Sequence, residues 1–526
     1  MRPRHFCSER ILTVNTVIGD RFVSEAADDA QRSTGGCMDG TREKVLTMFV
    51  QWAISDPKRI FWLAGMAGTG KTSIALTLCR MLRSESAVFF GGGFFCSRSS
   101  GTIAQTDVRR ILPTLARLLA GSSPEFAAAL AVELGKADRI ATKPVREQIG
   151  PFLRQPLSAL APSSRPIVFV IDALDEIADK SELTDNSELA ELLNLIADFQ
   201  SAVPVKFILT SRPEINIRGT RISNPEHNAI LKLHELDPLE VKQDIHRYIY
   251  GTLEKNTNGS TWYSPTDVDT LVQLSNYLFI FASTALDYVL GSNGDVARRV
   301  RLHEIISAVA EDTPVTARLD MMYELVIARA AHSTAISMRG LDRLKSIIAC
   351  ILTSRLTLSV QALAELMELE PDLLRSSLER LHAMIHVPDD NNTPDLHAVH
   401  ASFGDYLFDR AADRIRIPRS HGHDTLAHAC LDVMKKKLHF NISQSRSSYE
   451  PNPSTKPESI NLSLEYACLH WAHHAIASST PALDLKIGQI FRPKLLFWLE
   501  LLSVMQKVSL AGGLLRIAAS AVSLLL

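Results

Sequence analysis

The chain has 526 residues, 46% of them hydrophobic and 22% charged, with 56 basic against 58 acidic side chains and a formal charge of -2. That length exceeds one core and implies several domains. The balanced charge, with no block of one sign, speaks against a nucleic-acid-binding face or a polybasic membrane patch. The seven cysteines are scattered, odd in number and free of any C-x-x-C, which argues against a disulfide framework or zinc site and for a reducing, cytoplasmic setting. The opening residues MRPRHFCSERIL lack the apolar core of a signal peptide.

In chain order, the first informative stretch is the apolar run Ile60–Ala64, expected to be a buried strand. Gly65-Met66-Ala67-Gly68-Thr69-Gly70-Lys71-Thr72 follows it and fits G-x-x-x-x-G-K-[ST], the phosphate-binding loop. Ser73 and the apolar residues after it read as the start of a helix. The chemistry needs this order. Glycines let several N–H groups converge on one anion, and the helix N-terminus adds its positive end. Lys71 would reach the β- and γ-phosphates and the Thr72 hydroxyl would ligate Mg²⁺.

Pro166 to Asp172 is a second apolar run, ending in an acid at the edge where open α/β sheets bind ligands. Asp172 would hold Mg²⁺ opposite Thr72. In the following Ala173-Leu174-Asp175-Glu176, Glu176 would orient or deprotonate an attacking water and Asp175 would assist at the metal; the same two acids would also suit a plain helix start. Val205 to Pro213 repeats the pattern, with Arg212 aimed at a γ-phosphate or, alternatively, an ordinary loop arginine. A fourth strand is expected at 229–233. Strands alternating with helices give a parallel sheet covered on both faces.

Downstream, Asp237 and Pro238 open a helix with Val241, Ile245 and Ile249 on one side. Two helices near Val360 and Leu373, then the polar turn Asp389 to Pro394, form a winged-helix pattern. After Asp409 the chain reads as helical. Val508 to Leu526 is nearly apolar; its mid-stretch Arg516 favours a helix packing on protein over a membrane span.

Taken together, GMAGTGKTSIA, FFCSR (Phe94 to Arg98), PIVFVIDALDEI and FILTSRPE resemble the NACHT branch of the STAND ATPases, the fungal members with a nephrocystin-3-like N-terminal segment in particular. Cys37 to Arg42 and the helix after it are similar to that family's lead-in, and Asn276 to Ala282 to its GLFIWA segment, with Tyr277 standing where glycine is usual. The resemblance implies an α/β P-loop NTPase domain followed by a helical lid, a winged helix and a helical spacer. The corresponding bounds are 1–36 for an N-terminal extension, 37–225 for the NTPase, 226–312 for the lid, 313–415 for the winged helix and 416–526 for a spacer that looks truncated.

The same resemblance implies ATP/ADP and Mg²⁺ as cofactors. Gly65, Gly68, Thr69, Gly70, Lys71, Thr72 and Ser73 would bind the nucleotide, and Lys71, Asp172, Glu176 and Arg212 would serve slow hydrolysis. Thr72, Asp172 and Asp175 would face the metal. His400 matches the histidine that contacts the diphosphate in the family's resting state, although it would equally suit a domain core. A signalling switch of the innate-immunity kind that forms homo-oligomers on activation is the function implied, with unknown protein partners and neither nucleic acid nor membrane. A continuously cycling ATPase or kinase, a non-hydrolysing scaffold and a truncated product without activity are the alternatives.

Overall fold

The computed structural model describes residues 35–98, 103–136, 139–161, 165–177, 188–201, 203–213, 228–256, 262–309, 314–332, 338–446, 460–478 and 483–523, with a few positions between 14 and 27 and Pro457. The chain divides into two compact units, one running to Val315 and one from Thr316 to Leu526.

The first unit is built on a parallel five-stranded sheet in the order β2-β3-β4-β1-β5. The strands are β1 (Ile60–Ala64), β2 (Phe89–Phe95), β3 (Ile167–Asp172), β4 (Val205–Ser211) and β5 (Ala229–Lys232). β1, β3 and β4 are buried along their whole length, as apolar parallel strands with helices on both faces must be. Side chains alternate between the faces. Phe61, Leu63, Val168, Val170 and Ile208 pack on the helices Glu43–Ser55 and Lys71–Ser84. Ile60, Trp62, Phe169, Ile171 and Leu209 face Ile111–Ser122, Pro124–Leu134 and Glu188–Ala197. The α/β P-loop architecture expected from the sequence is the one observed.

Two features lie outside that expectation. β2 is a further strand at the sheet edge, and three consecutive glycines diluted its signal. Before Cys37, Val14, Ile18, Val23 and Ala26 are buried in the sheet's core, and Ala27 bridges to Phe94 of β2, so this stretch is part of the NTPase core; most of the remaining N-terminal extension lies outside the described residues.

Four helices complete the unit: Pro238–Asn256, Pro265–Ser275, Phe279–Leu290 and Asp295–Ala308. Asp237 starts the first, its carboxylate accepting from the Leu239 N–H at 3.0 Å. Ser264 and Asp267 form a reciprocal capping box on the second. Asn276 and Tyr277 then turn the chain through the left-handed region, with φ of 38° and 72°. That conformation is why glycine suits the place Tyr277 occupies.

In the second unit, Ser359 caps the helix Val360–Leu366 and Pro371–Leu378 follows. β6 (Ile385–His386) and β7 (His397–Ala398) pair antiparallel around the polar turn, and Leu358 bridges to Leu396. Arg375 fixes that turn through Asn391 and the carbonyls of Pro388 and Asp389. The other described elements of the unit are helices, Arg419–Lys437 and Leu462–Ile476 among them. Ala511–Ser523 buries Ala511, Leu514 and Ala518; Leu524 to Leu526 lie outside the described residues. Among the described residues no helix is long and apolar enough to cross a membrane.

Candidate nucleotide-binding site

β1, β3 and β4 run parallel and in register, so their C-terminal ends deliver Gly65, Asp172 and Arg212 to one side of the sheet. The Gly65 N–H donates to the Ser211 carbonyl at 3.1 Å, tying the loop to the end of β4. Gly68 and Gly70 hold φ of 78° and 89°, which a side chain would strain. A methyl group on Gly68 would also meet Ile280 Cγ2 at 2.0 Å.

Lys71 is 9% exposed and its ammonium donates to the carbonyls of Gly65 and Met66 at 2.7 and 3.0 Å. Burial lowers its pKa, and Asp175 and Asp172 oppose that shift. No acid among the described residues pairs with it, so its charge is held by dipoles beside the loop mouth. The exposed Thr72 donates to Asp172 Oδ2 at 2.8 Å, and Thr210 donates to Asp172 Oδ1 at 2.6 Å. Desolvation pushes the Asp172 carboxyl up, while Thr210, Thr72 and Lys71 pull it back. Thr72 and Asp172 thus offer a hard oxygen pair that fits Mg²⁺, an ion that keeps much of its coordination for water and phosphate.

Beyond Asp172 the chain turns sharply at Ala173, with φ 55° and ψ 49°, into the short turn Leu174–Glu176. Asp175 is bound on both oxygens by Arg212, from Nε at 2.9 Å and the backbone N–H at 3.0 Å. Both oxygens expected to face the metal are thereby engaged by Arg212, whose charge Asp175 neutralises. Glu176 is half-buried by surface yet enclosed by protein atoms, and desolvation pushes its carboxyl up to about 7. A carboxyl near neutrality is suited to take a proton from water. Its Oε2 accepts from the Arg98 N–H at 2.8 Å.

His400 lies in the second unit, where its Nδ1 accepts from the Ser402 N–H at 3.1 Å and caps the helix Ala401–Asp405. Ser73 gives its carbonyl to Thr77 Oγ1 at 2.9 Å, and Thr77 accepts from the Cys37 N–H.

A family model for the N-terminal part of nephrocystin 3 matches residues 40–212, the span from the lead-in helix to Arg212. The vegetative incompatibility protein HET-E-1 of Podospora anserina is 23% identical over 95% of this chain, which spans 37% of that relative's length. Over these residues the chain is similar to the NACHT/STAND P-loop NTPases. Among solved structures, a STAND protein with a tetratricopeptide repeat sensor from Pyrococcus horikoshii aligns with 94% of this chain and 59% of its own, at 14% identity and a TM-score of 0.41. The ORC2 protein of Aeropyrum pernix aligns with 75% of this chain and 94% of its own, at 11% identity and a TM-score of 0.33.

Several residues around the phosphate loop were not singled out by sequence reasoning. Thr210 orders Asp172 and also accepts from the Ala173 N–H at 2.9 Å. Arg42, in the lead-in, donates from Nη2 to the Thr69 carbonyl at 3.1 Å and lies 4.9 Å above the Phe279 ring. Its backbone N–H donates to Asp244 Oδ2 at 3.2 Å. The Ile280 N–H donates to the Gly68 carbonyl at 3.1 Å, so the helix Phe279–Leu290 begins directly on the phosphate loop. The signal for Arg42 was there, a basic residue opening an apolar helix; the other contacts leave none.

Proposed function

We propose that this chain is a nucleotide-gated signalling switch that binds ATP or ADP with Mg²⁺ and hydrolyses ATP slowly. Lys71 and the loop amides bind the phosphates, and Thr72 and Asp172 hold the metal, whose chemistry when bound is to neutralise phosphate charge. Glu176 takes the proton of the attacking water. Arg212 meets the terminal phosphate only by sharing its charge with Asp175, which suits slow turnover. Residues 226–312 act as the lid, 313–415 as a winged-helix regulator and 416–526 as the spacer. His400 contacts the diphosphate in the resting state.

The observation that favours a switch over a cycling enzyme is the bond from the Ile280 N–H to the Gly68 carbonyl. It makes the helix Phe279–Leu290 part of the loop that grips phosphate. A change in loop occupancy therefore acts on that helix without an intermediary. Moving such an equilibrium from mostly closed to mostly open needs about 5.5 kcal/mol of differential binding, which nucleotide exchange and homo-oligomer contacts supply together.

The test is the nucleotide carried by the purified protein and its mass before and after ATP and Mg²⁺. ADP-bound monomer converting to larger assemblies supports the switch; fast steady turnover at constant mass defeats it. His400→Ala should speed ADP release and promote assembly, and unchanged release removes His400 from the site.

A further inference from the structure

Arg98 stands just past β2, on a different strand from the acids it touches. Its guanidinium spans three successive carbonyls of the turn after Asp172: Nε donates to Glu176 O at 3.1 Å, and Nη2 donates to Asp175 O and to Ile177 O, the latter at 3.1 Å. The backbone N–H of the same residue holds the Glu176 carboxylate. A planar fork with fixed donors can grip a turn in this way where a lysine cannot. The turn needs such support, because it is entered through a left-handed alanine and carries two acids side by side.

We propose that Arg98 is a positioning residue for hydrolysis, holding the turn so that the Glu176 carboxylate faces the water it activates. The proposal rests on the reading of Glu176 as the base. Arg98 touches neither the phosphate loop nor the Thr72–Asp172 pair in any hydrogen bond among the described residues. Its removal therefore acts on the chemical step and leaves binding alone, since a small misplacement of a base costs far more in rate than in affinity.

The experiment follows a single turnover of pre-bound ATP and, separately, ADP and ATP affinity, in the full chain. Arg98→Ala should lower turnover at least about tenfold with affinities within twofold of the native chain, and Arg98→Lys should recover part of the rate. Combining Arg98→Ala with Glu176→Gln should be no slower than Glu176→Gln alone, because both act through one group. Native turnover in Arg98→Ala, with Glu176→Gln inactive, overturns the positioning role while sparing the hydrolysis reading. Native turnover in Glu176→Gln overturns the hydrolysis reading itself. Should Arg98→Ala not fold, Arg98→Lys carries the test, and a rate equal to the native one overturns the proposal.

Discussion

The acids of the nucleotide site and the histidines of the C-terminal helices are both withdrawn from water, but they are kept there by opposite means. In the first unit Asp172, Asp175 and Glu176 are each met by defined donors from Thr72, Thr210, Arg212 and Arg98. In the second unit the groups are kept neutral. The Arg355 N–H donates to the Tyr466 oxygen at 3.1 Å, and the Tyr466 hydroxyl lies 2.8 Å from His474 Nε2. His474 Nδ1 lies 2.9 Å from His423 Nδ1. These contacts join Arg355, Tyr466, His474 and His423 in one buried line. Beside it His470 is enclosed with neither ring nitrogen hydrogen-bonded among the described residues, and burial holds its pKa down at about 3. The lesson is that buried charge with designed partners marks chemistry, whereas buried neutral imidazole marks packing that acid can undo.

That contrast can be broken most strongly at Trp498. It is fully buried against Phe491 and Trp471, with its N–H on the Cys468 carbonyl at 3.0 Å. Trp498→Ala should destabilise the second unit by about 3–5 kcal/mol in chemical denaturation; a loss under 1 kcal/mol would mean the aromatic cluster is not its core. Next, Lys71→Ala should weaken ATP and ADP binding at least about a hundredfold, or about 2.8 kcal/mol, while the fold survives. Calorimetry showing native affinity would remove the phosphate-loop assignment.

The histidines sharpen the comparison through pH. Their folded pKa values lie below the unfolded one near 6.5, so the stability they contribute is present above that pH and is lost as pH falls towards the folded values. From His470 alone, lowering the pH to 5 should cost about 2 kcal/mol. Arg355, His473 and Lys507 face it and contribute to that depressed value. His470→Phe should flatten the dependence; an unaltered slope would show that His470 is not the group titrating. The smallest effect is expected at Tyr277, whose φ of 72° is strained for a tyrosine. Tyr277→Gly should stabilise the first unit by about 1 kcal/mol, read as a rise in its melting temperature of about 2–4 °C, and a fall would mean that the ring's contacts outweigh the backbone.

What the sequence revealed of this site follows from how each residue is announced. Asp172 and Arg212 each stand at the end of an apolar run, a position that pattern reading finds, and Lys71 is announced by the glycine motif between strand and helix. Asp175 was legible as part of an acidic cluster but not as the partner of Arg212, because that pairing joins two strands 37 residues apart in sequence. Arg98 was visible only through the family likeness, and β2 hid behind its glycines. The Ile280-to-Gly68 bond is made by backbone alone, which no side-chain pattern can announce. The histidines were obscured for a different reason: His423 and His474 meet across 51 residues of sequence, and that pairing leaves no local pattern.

The short bridge between Ala27 and Phe94 has a practical side. Val14, Ile18, Val23 and Ala26 lie against the sheet on the flank where β2 is outermost. A chain trimmed to the span that the nephrocystin 3 model recognises would begin after all of them. Its outer strand would be left with open amides and a bared apolar flank, a template for another copy to zip onto. Precipitation of such a fragment would reflect a lost hem rather than a fault in the sheet itself.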